Sequence, residues 1–270
     1  MFMIEGGKPM KVAVRRGHQY TGQDQGAEAI IKEIDVAEKY YKLALEGFKS
    51  LGHEVLDVTP PEANRTLSDS LLYGINMANN WGADLFVSCH VNNAYDSYRG
   101  SLGCEVIYAI GSSSGEKYAT SVESQLSSLG FKSRGAKADV RGLAELIKTN
   151  MPAIIVEPFF VEATNDIDVY NSIGDKGIAN SIVKGVTGKD IPSGGNGMKY
   201  VVTNYLPEGQ YGVEINSIIK KYFSELDRLY VRSNDTGIWI ETQNMPEDKA
   251  NSIAQSLKND NLFWSIEEAN

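Results

Sequence analysis

Strand-like and helical patterns alternate along the first two thirds of the chain. Apolar runs that predict strands cover residues 11–15, 54–58, 84–90, 104–110 and 151–157. Apolar residues at helical spacing predict helices over residues 30–51, 67–81, 115–129 and 173–187. The last three apolar runs are nearly continuous, which is typical of buried central strands. The alternation predicts an α/β fold with a mostly parallel central sheet flanked by helices.

The pattern changes after residue 188. Residues 189–197, KDIPSGGNG, are small and polar, which is typical of a linker. Beyond them, strands and helices are predicted in the order βαββαβ, over residues 199–206, 213–226, 228–232, 237–242, 246–258 and 262–266. This is the order of split-βαβ, or ferredoxin-like, α+β domains. We therefore expect one domain over residues 10–188 and a smaller one over residues 198–270.

The composition excludes several classes of protein. Apolar residues make up 42% and charged residues 23% of the 270 positions, which excludes a disordered, collagen-like or coiled-coil chain. The formal net charge of −9 argues against nucleic acid as a partner. No window approaches the roughly 18 uninterrupted apolar residues of a membrane span. Two cysteines, Cys89 and Cys104, are too few for a disulfide framework, so we expect folding in a reducing cytosol.

The first nine residues are predicted to be a leader or tag outside the fold. They look detached from the apolar pattern that follows, and the sequence MKVAV after them resembles a natural start. No basic stretch followed by an apolar stretch is present, so no signal peptide is predicted. We therefore expect the chain to be made in the cytoplasm without one.

Histidine and glutamate occur where predicted strands end. His18 follows the first strand, His90 ends the third and Glu157 ends the fifth, whereas His53 precedes a strand. Open α/β sheets place their sites at the carboxyl ends of strands. Glu33 lies among apolar residues of the first predicted helix. Each residue also has a structural interpretation: surface or capping histidines, a solvated Glu33, and a Glu157 that accepts backbone hydrogen bonds.

Two imidazoles and one carboxylate form a ligand set that zinc uses in catalytic sites, where a fourth position stays open. Zinc lowers the pKa of bound water to about 7, and a glutamate beside the water can transfer its proton. His18, Glu33 and His90 are the candidate ligands, and Glu157 is the candidate acid–base. The ligands are far apart in sequence and form no compact motif, so spacing alone leaves this a hypothesis.

Four motifs follow one another in residues 10–188. They are Gly17-His18, Lys32-Glu33-Ile34-Asp35, Ser88-Cys89-His90-Val91-Asn92 and the run PAIIVEPFF at 152–160, with Thr164-Asn165-Asp166 behind them. In these motifs the chain resembles the zinc-dependent N-acetylmuramoyl-L-alanine amidases of the amidase-3 type. It departs at the first motif, where the family usually has Asp-Pro-Gly-His-Gly and this chain has Arg15-Arg16-Gly17-His18-Gln19. The resemblance implies zinc on His18, Glu33 and His90, with Glu157 catalytic.

The reaction implied by the resemblance is hydrolysis of the amide between N-acetylmuramic acid and L-alanine of peptidoglycan. Asn92 is a candidate for orienting substrate or ligand, with a strand-end turn residue as the alternative. Arg141 is a candidate for contacting carboxylates of the stem peptide, with a solvated arginine as the alternative. Two other functions stay open: a zinc peptidase that cleaves stem peptides, and a catalytically inactive wall-binding protein.

Residues 199–270 resemble, more weakly, the C-terminal domains of clostridial phage endolysins. The resemblance rests on the βαββαβ order, on Trp239 and on the pair Phe263-Trp264. It implies a wall-binding or oligomerisation domain, although these aromatic residues would also suit a small core. We therefore expect an endolysin that acts at the bacterial cell wall, with a host autolytic or sporulation amidase as the alternative.

Met198 stands directly after the sequence GGNG of the linker. Codons for Gly-Gly can resemble a ribosome-binding sequence. Internal initiation at Met198 is therefore predicted to yield a free C-terminal domain that associates with the full-length chain. Proteolysis within the linker is the alternative source of such a fragment.

Overall fold

The structure, a computed structural model, describes residues 8–61, 65–192, 199–206, 213–226 and 228–268. The chain divides into two compact units, Met1–Pro192 and Ser193–Asn270. The first contains β1 (Lys11–Arg16), α1 (Glu33–Ser50), β2 (Glu54–Asp57), α2 (Leu67–Trp81), β3 (Leu85–Cys89), β4 (Cys104–Ala109), α3 (Ser113–Ser128), β5 (Ser133–Asp139), α4 (Ala144–Ile147), β6 (Ala153–Glu157) and α5 (Thr164–Thr187). The second contains β7 (Lys199–Thr203), α6 (Val213–Tyr222), β8 (Leu229–Asn234), β9 (Gly237–Thr242), α7 (Glu247–Asn259) and β10 (Phe263–Glu268).

Six strands of the first unit form one sheet in the order β2-β1-β3-β6-β4-β5. Neighbours are parallel except β4 and β6, which run antiparallel with Glu105 opposite Glu157. The predicted α/β fold with a mostly parallel sheet is thus confirmed. The single reversal has a consequence for function, because it brings the start of β4 to the edge at which β1, β3 and β6 end.

Alternate residues of the strands feed two hydrophobic layers, as the two-residue period of a strand requires. On one face, Val14, Val87 and Val156 pack with α1, α3 and α5. On the other face, Phe86 and Ile155 pack with α2 and α4. Both faces of the central strands are therefore buried, which explains their nearly continuous apolar sequence. Cys89 and Cys104 are buried free thiols within this core.

Three elements of the first unit differ from the prediction, and one of them is α4, whose 4 residues are too few to show a helical apolar period. β5 was not predicted, because the edge strand Ser133–Asp139 is polar and largely half-exposed and carries no apolar alternation. The last helix begins at Thr164 rather than at residue 173, and it contains a kink at Gly174, whose φ of 64° is left-handed. Glycine accommodates this conformation without the steric cost that a side chain would add. The apolar pattern reports only the half of α5 beyond that kink.

The second unit has a four-stranded antiparallel sheet in the order β10-β7-β9-β8. The order β-α-β-β-α-β of its elements confirms the predicted α+β arrangement. Ile218 of α6 and Leu257 of α7 pack with Val201 and Ile240 of the sheet, so both helices cover the same face. Trp264 is 64% exposed, so it lies outside this core.

Within the described residues, no helix combines the length and the apolar character needed to cross a bilayer.

A test of the packing between α3 and α5 is the substitution Gly185→Ala. A Cβ at Gly185 would lie 2.5 Å from Cα of Val122, which is backbone and cannot rotate away. Alanine favours a helix over glycine by about 1 kcal/mol, but the clash should outweigh this and destabilise the chain by about 1–3 kcal/mol. Urea unfolding measures the change. Ser124→Ala, at an exposed position of α3, is the control, and a Gly185→Ala variant as stable as the control would contradict the packing.

Candidate metal centre

The carboxyl ends of β1, β3 and β6 meet at one edge of the sheet, and polar side chains gather there. His18 lies just beyond β1, His90 directly follows β3, and Glu157 is the last residue of β6. Glu33 is the first residue of α1, to which the loop from β1 returns. His18 has a φ of 63°, an uncommon conformation for a residue with a side chain, so the surrounding loop holds its backbone in place.

Three donor atoms converge in this cluster. The distances are 3.0 Å from Nε2 of His18 to Oε1 of Glu33, 3.1 Å from Nδ1 of His90 to the same oxygen, and 3.1 Å between the two ring nitrogens. Such an arrangement of two imidazoles and a carboxylate could hold a divalent metal ion. The structure thus brings together the three residues that the sequence proposes as ligands.

Further residues orient the cluster. Oδ1 of Asp24 lies 2.6 Å from Nδ1 of His18, which leaves Nε2 directed toward the centre. Glu33 accepts hydrogen bonds from the backbone N–H groups of Ala27 and Val91, at 2.9 and 3.0 Å. Carboxylates behind a ligating histidine are a common feature of metal sites. Sequence reasoning missed Asp24, although an acidic residue six positions after His18 in the same loop was a usable signal.

Gly17 is required by the position of the neighbouring imidazole. A Cβ at this residue would lie 2.2 to 2.5 Å from three atoms of the His90 ring. The glycine of the Gly-His motif therefore makes room for the second histidine.

The residues at which the first motif departs from the family pattern all have partners. Arg15 is fully buried and pairs with Glu145, its Nη1 lying 2.5 Å from Oε1. Arg16 forms an ion pair with Glu38 of α1. The side chain of Gln19 is bonded to the backbone N–H and carbonyl of Arg65, at 2.9 and 3.1 Å. The altered loop is therefore built into the fold.

The cluster is electrostatically coupled. Burial alone lowers the pKa of His18, but hydrogen bonds to Asp24 and Glu33 and their negative charges outweigh it and raise the pKa to about 10. Burial alone raises the pKa of Glu33, but contacts with both imidazoles hold it well below its usual value. Contact with Glu33 likewise reverses the effect of burial on His90 and raises its pKa. In the absence of a cation, Glu33 therefore stays ionised, and protons held by the imidazoles balance its charge.

The pKa of Glu157 shifts in the opposite direction to that of Glu33. Burial raises its pKa to about 8; the negative charges of Glu33 and Glu105 add to the rise, and His90 opposes it. Its Oε2 is buried and finds no hydrogen-bond partner among the described residues. A carboxyl group with a pKa near neutrality can both take up and release a proton.

A charged group lies beside Glu157 on β4 and β5. Glu105 accepts hydrogen bonds from Asn92 at 3.0 Å, from Arg134 at 2.5 Å and from Lys137 at 2.6 Å. Burial tends to raise the pKa of Glu105, but these two cations outweigh it and lower the pKa. Sequence reasoning missed Arg134 and Lys137 because it missed β5.

Arg141 is not brought together with the other candidate residues. It follows β5, whose last residues lie beside the end of β4 and therefore level with the start of β6, at the edge opposite Glu157. Its exposed side chain lies 3.6 Å from Asp139. The sequence predicts no strand directly before Arg141, so it gives no edge of the sheet on which to place this residue.

The model of one protein family, described as N-acetylmuramoyl-L-alanine amidase (Amidase_3), matches residues 12–188. The chain belongs to this amidase family. The resemblance drawn from the four motifs is thereby confirmed.

Several curated proteins are similar to this amidase-family chain. An uncharacterised protein of Clostridium perfringens (strain 13 / Type A) is 37% identical over 250 residues, which are 92% of this chain and 65% of that protein. An uncharacterised 38.4 kDa protein of Clostridium perfringens is 36% identical over 178 residues, which are 66% of this chain and 51% of that protein. The chain thus spans less than two thirds of the length of these relatives.

Solved structures of the family match the fold. The catalytic domain of the CD27L endolysin, which targets Clostridia difficile, is 31% identical with a TM-score of 0.60, over 67% of this chain and 98% of that one. The N-acetylmuramoyl-L-alanine amidase of Clostridium difficile 630 is 25% identical with a TM-score of 0.56, over 67% of this chain and 97% of that one.

The raised pKa of Glu157 predicts how the stability of the metal-free chain depends on pH. The folded chain keeps this proton up to a pKa of about 8, whereas a carboxyl in the unfolded chain loses it near 4.5. The folded state therefore binds more protons than the unfolded state between these values, and this group's contribution to stability is lost as pH rises through the interval. Glu157→Gln should stabilise the metal-free chain relative to wild type by about 4 kcal/mol at pH 8 and by only about 1 kcal/mol at pH 5.

Urea unfolding in the presence of a chelator, at pH 5, 6.5 and 8, measures this difference. The exposed Glu46→Gln is the control and should leave the pH dependence of wild type unchanged. A constant offset between Glu157→Gln and wild type at all three pH values would contradict the shift.

Proposed function

We propose that this chain is a zinc-dependent hydrolase that cleaves the amide between N-acetylmuramic acid and L-alanine in peptidoglycan. The proposal rests on the convergence of His18, Glu33 and His90 at the carboxyl edge of an amidase-family fold. Two imidazole nitrogens and one carboxylate oxygen suit zinc, and Asp24 gives His18 the support that ligating histidines commonly have. His18, Glu33 and His90 would therefore hold the ion.

When bound, zinc would supply a Lewis acid that polarises the scissile carbonyl and lowers the pKa of water. Glu157 would take the proton of the attacking water on its unpartnered Oε2 and return it to the nitrogen of the leaving alanine. A pKa raised toward neutrality suits both transfers. Asn92 lies close after His90 at the same edge, and its hydrogen bond to Glu105 holds its side chain in place. Asn92 would orient the substrate.

The biological role proposed is that of an endolysin acting at the bacterial cell wall. Its support is the likeness to the catalytic domain of the CD27L endolysin. A host autolytic or sporulation amidase is the alternative, supported by the likeness to the amidase of Clostridium difficile 630. Addition of the purified chain to intact clostridial cells and to isolated walls compares the two roles, since an endolysin should lyse both rapidly.

The zinc and amidase hypotheses are tested together with His90→Ala. Wild type should contain one zinc per chain by elemental analysis, clear suspensions of clostridial walls and release new N-terminal alanine. His90→Ala should lose both the metal and at least a hundredfold in activity, because a ligand is removed. His53→Ala, at the opposite edge of the sheet, is the matched control.

Other products would redirect the assignment. New amino groups other than alanine would indicate an endopeptidase. Wall binding without any product would indicate an inactive wall-binding protein. Metal-free wild type that still lyses walls would contradict the zinc mechanism.

The second unit is proposed to bind the wall or to assemble subunits.

The proposed internal start, Met198, lies outside the described residues, as do the glycines before it. Expression of wild type should yield a second species of about 70 residues, and Met198→Ala should remove it. Intact-mass analysis checks this, and persistence of the fragment in Met198→Ala would favour proteolysis of the linker.

A further inference from the structure

A cavity opens at the carboxyl ends of β1 and β2. Its volume is about 470 Å³, within the range of small-molecule sites. Arg16 and Gln19 contribute to its wall, and they flank Gly17 and His18 in the sequence. The cavity therefore adjoins the candidate metal centre along the same loop.

The lining offers rings, acceptors and a donor in one place. Tyr20 and Tyr73 provide aromatic surface, Asp57 provides a carboxylate, and Arg16 provides N–H groups. Such a lining suits a ligand that has apolar ring faces and many hydroxyl or amide groups, because both kinds of surface find partners. An apolar ligand would leave the polar groups unpaired, and a polyanion would face the carboxylates.

Tyr20 is the most exposed aromatic residue of the cavity lining, and Arg16 packs against its ring. The ring is 48% exposed, and the guanidinium of Arg16 lies 4.7 Å from its centroid. Arg16 is only 8% exposed and is held by the ion pair with Glu38 and by a backbone hydrogen bond to Oγ1 of Thr59, at 3.0 Å. Arg16 is therefore held in place, and it supports the Tyr20 ring that packs on it.

The two flanks of the metal cluster differ in charge. In the sheet order, β2 and β1 lie on one side of β3 and β6, and β4 and β5 lie on the other. The β4–β5 flank carries Arg134 and Lys137 around Glu105, two cations for one carboxylate. The proposed substrate has a matching asymmetry, since an uncharged, hydroxyl-rich sugar is joined to a peptide that carries carboxylates.

We infer that the cavity at the ends of β1 and β2 binds the glycan strand of the substrate, with Tyr20 as the stacking surface, and that the stem peptide extends toward β4 and β5. This inference rests on the proposed amidase function. It adds the direction in which the substrate crosses the site and a sugar subsite outside the metal cluster.

Direct binding to the full chain tests the subsite without requiring catalysis. The probe is chitotetraose, an N-acetylated oligosaccharide that has no peptide and no scissile amide. Glu157→Gln, titrated by calorimetry, should bind it as wild type does. Tyr20→Ala should bind at least fivefold more weakly, and Tyr20→Trp should restore binding because the stacking surface returns. Thermal unfolding verifies that the exposed substitutions leave the fold intact.

Two control variants locate the binding. Tyr95→Ala removes an exposed tyrosine elsewhere in the first unit, and Trp264→Ala removes the exposed tryptophan of the second unit. Neither should weaken chitotetraose binding more than twofold. Loss of binding in Trp264→Ala with full binding in Tyr20→Ala would overturn the inference and place the sugar site on the second unit. No binding by wild type would also overturn it.

A kinetic comparison separates failure of this inference from failure of the proposed function. For wild type and Tyr20→Ala, KM is measured on long glycan strands and on a muramoyl-peptide monomer. In Tyr20→Ala, KM for the long strands should rise at least fivefold relative to KM for the monomer. An unchanged ratio in an active enzyme would overturn the sugar subsite alone. Chitotetraose binding that depends on Tyr20, in a chain that hydrolyses neither substrate, would overturn only the amidase function.

Discussion

The site depends on the contacts of one buried carboxylate, that of Glu33. It joins three segments, because it accepts hydrogen bonds from Ala27 in the first loop and Val91 after β3 and also contacts His18 and His90. Burying an isolated carboxylate costs several kcal/mol, so this residue is tolerated only with its cationic and N–H partners in place. The same contacts that offset the cost of burial also shape a pocket for a cation.

The reversed direction of β4 and β5 decides which residues surround that pocket. In an all-parallel sheet, β4 and β5 would contribute their carboxyl ends to the site. Because β4 runs antiparallel to β6, they contribute their amino ends, and Glu105, Arg134 and Lys137 lie beside Glu157. The site therefore has a charged flank on one side and a tyrosine-lined flank on the other, joined through β3 and β6.

Local patterns in the sequence identify the buried strands and the residues at their ends, because burial on two faces leaves a continuous apolar run. They do not identify β5, whose polar residues serve an edge position, nor the first half of α5, which lies before the kink at Gly174. Local patterns also do not identify the partners Asp24 and Glu105, for a different reason. Their roles arise from contacts across the fold, and strand direction, which decides the edge at which Arg141 lies, is a property of the sheet rather than of any segment.

The two buried cysteines have a consequence for where the chain can work. Cys89 and Cys104 lie on strands separated by β6, hence about 10 Å apart by strand spacing and beyond the reach of a disulfide. Burial raises the pKa of both thiols, to about 12 for Cys104, so almost no reactive thiolate forms at neutral pH. Passage from a reducing to an oxidising medium should thus leave the covalent structure unaltered, and the protein needs neither an oxidant to fold nor a reductant to persist.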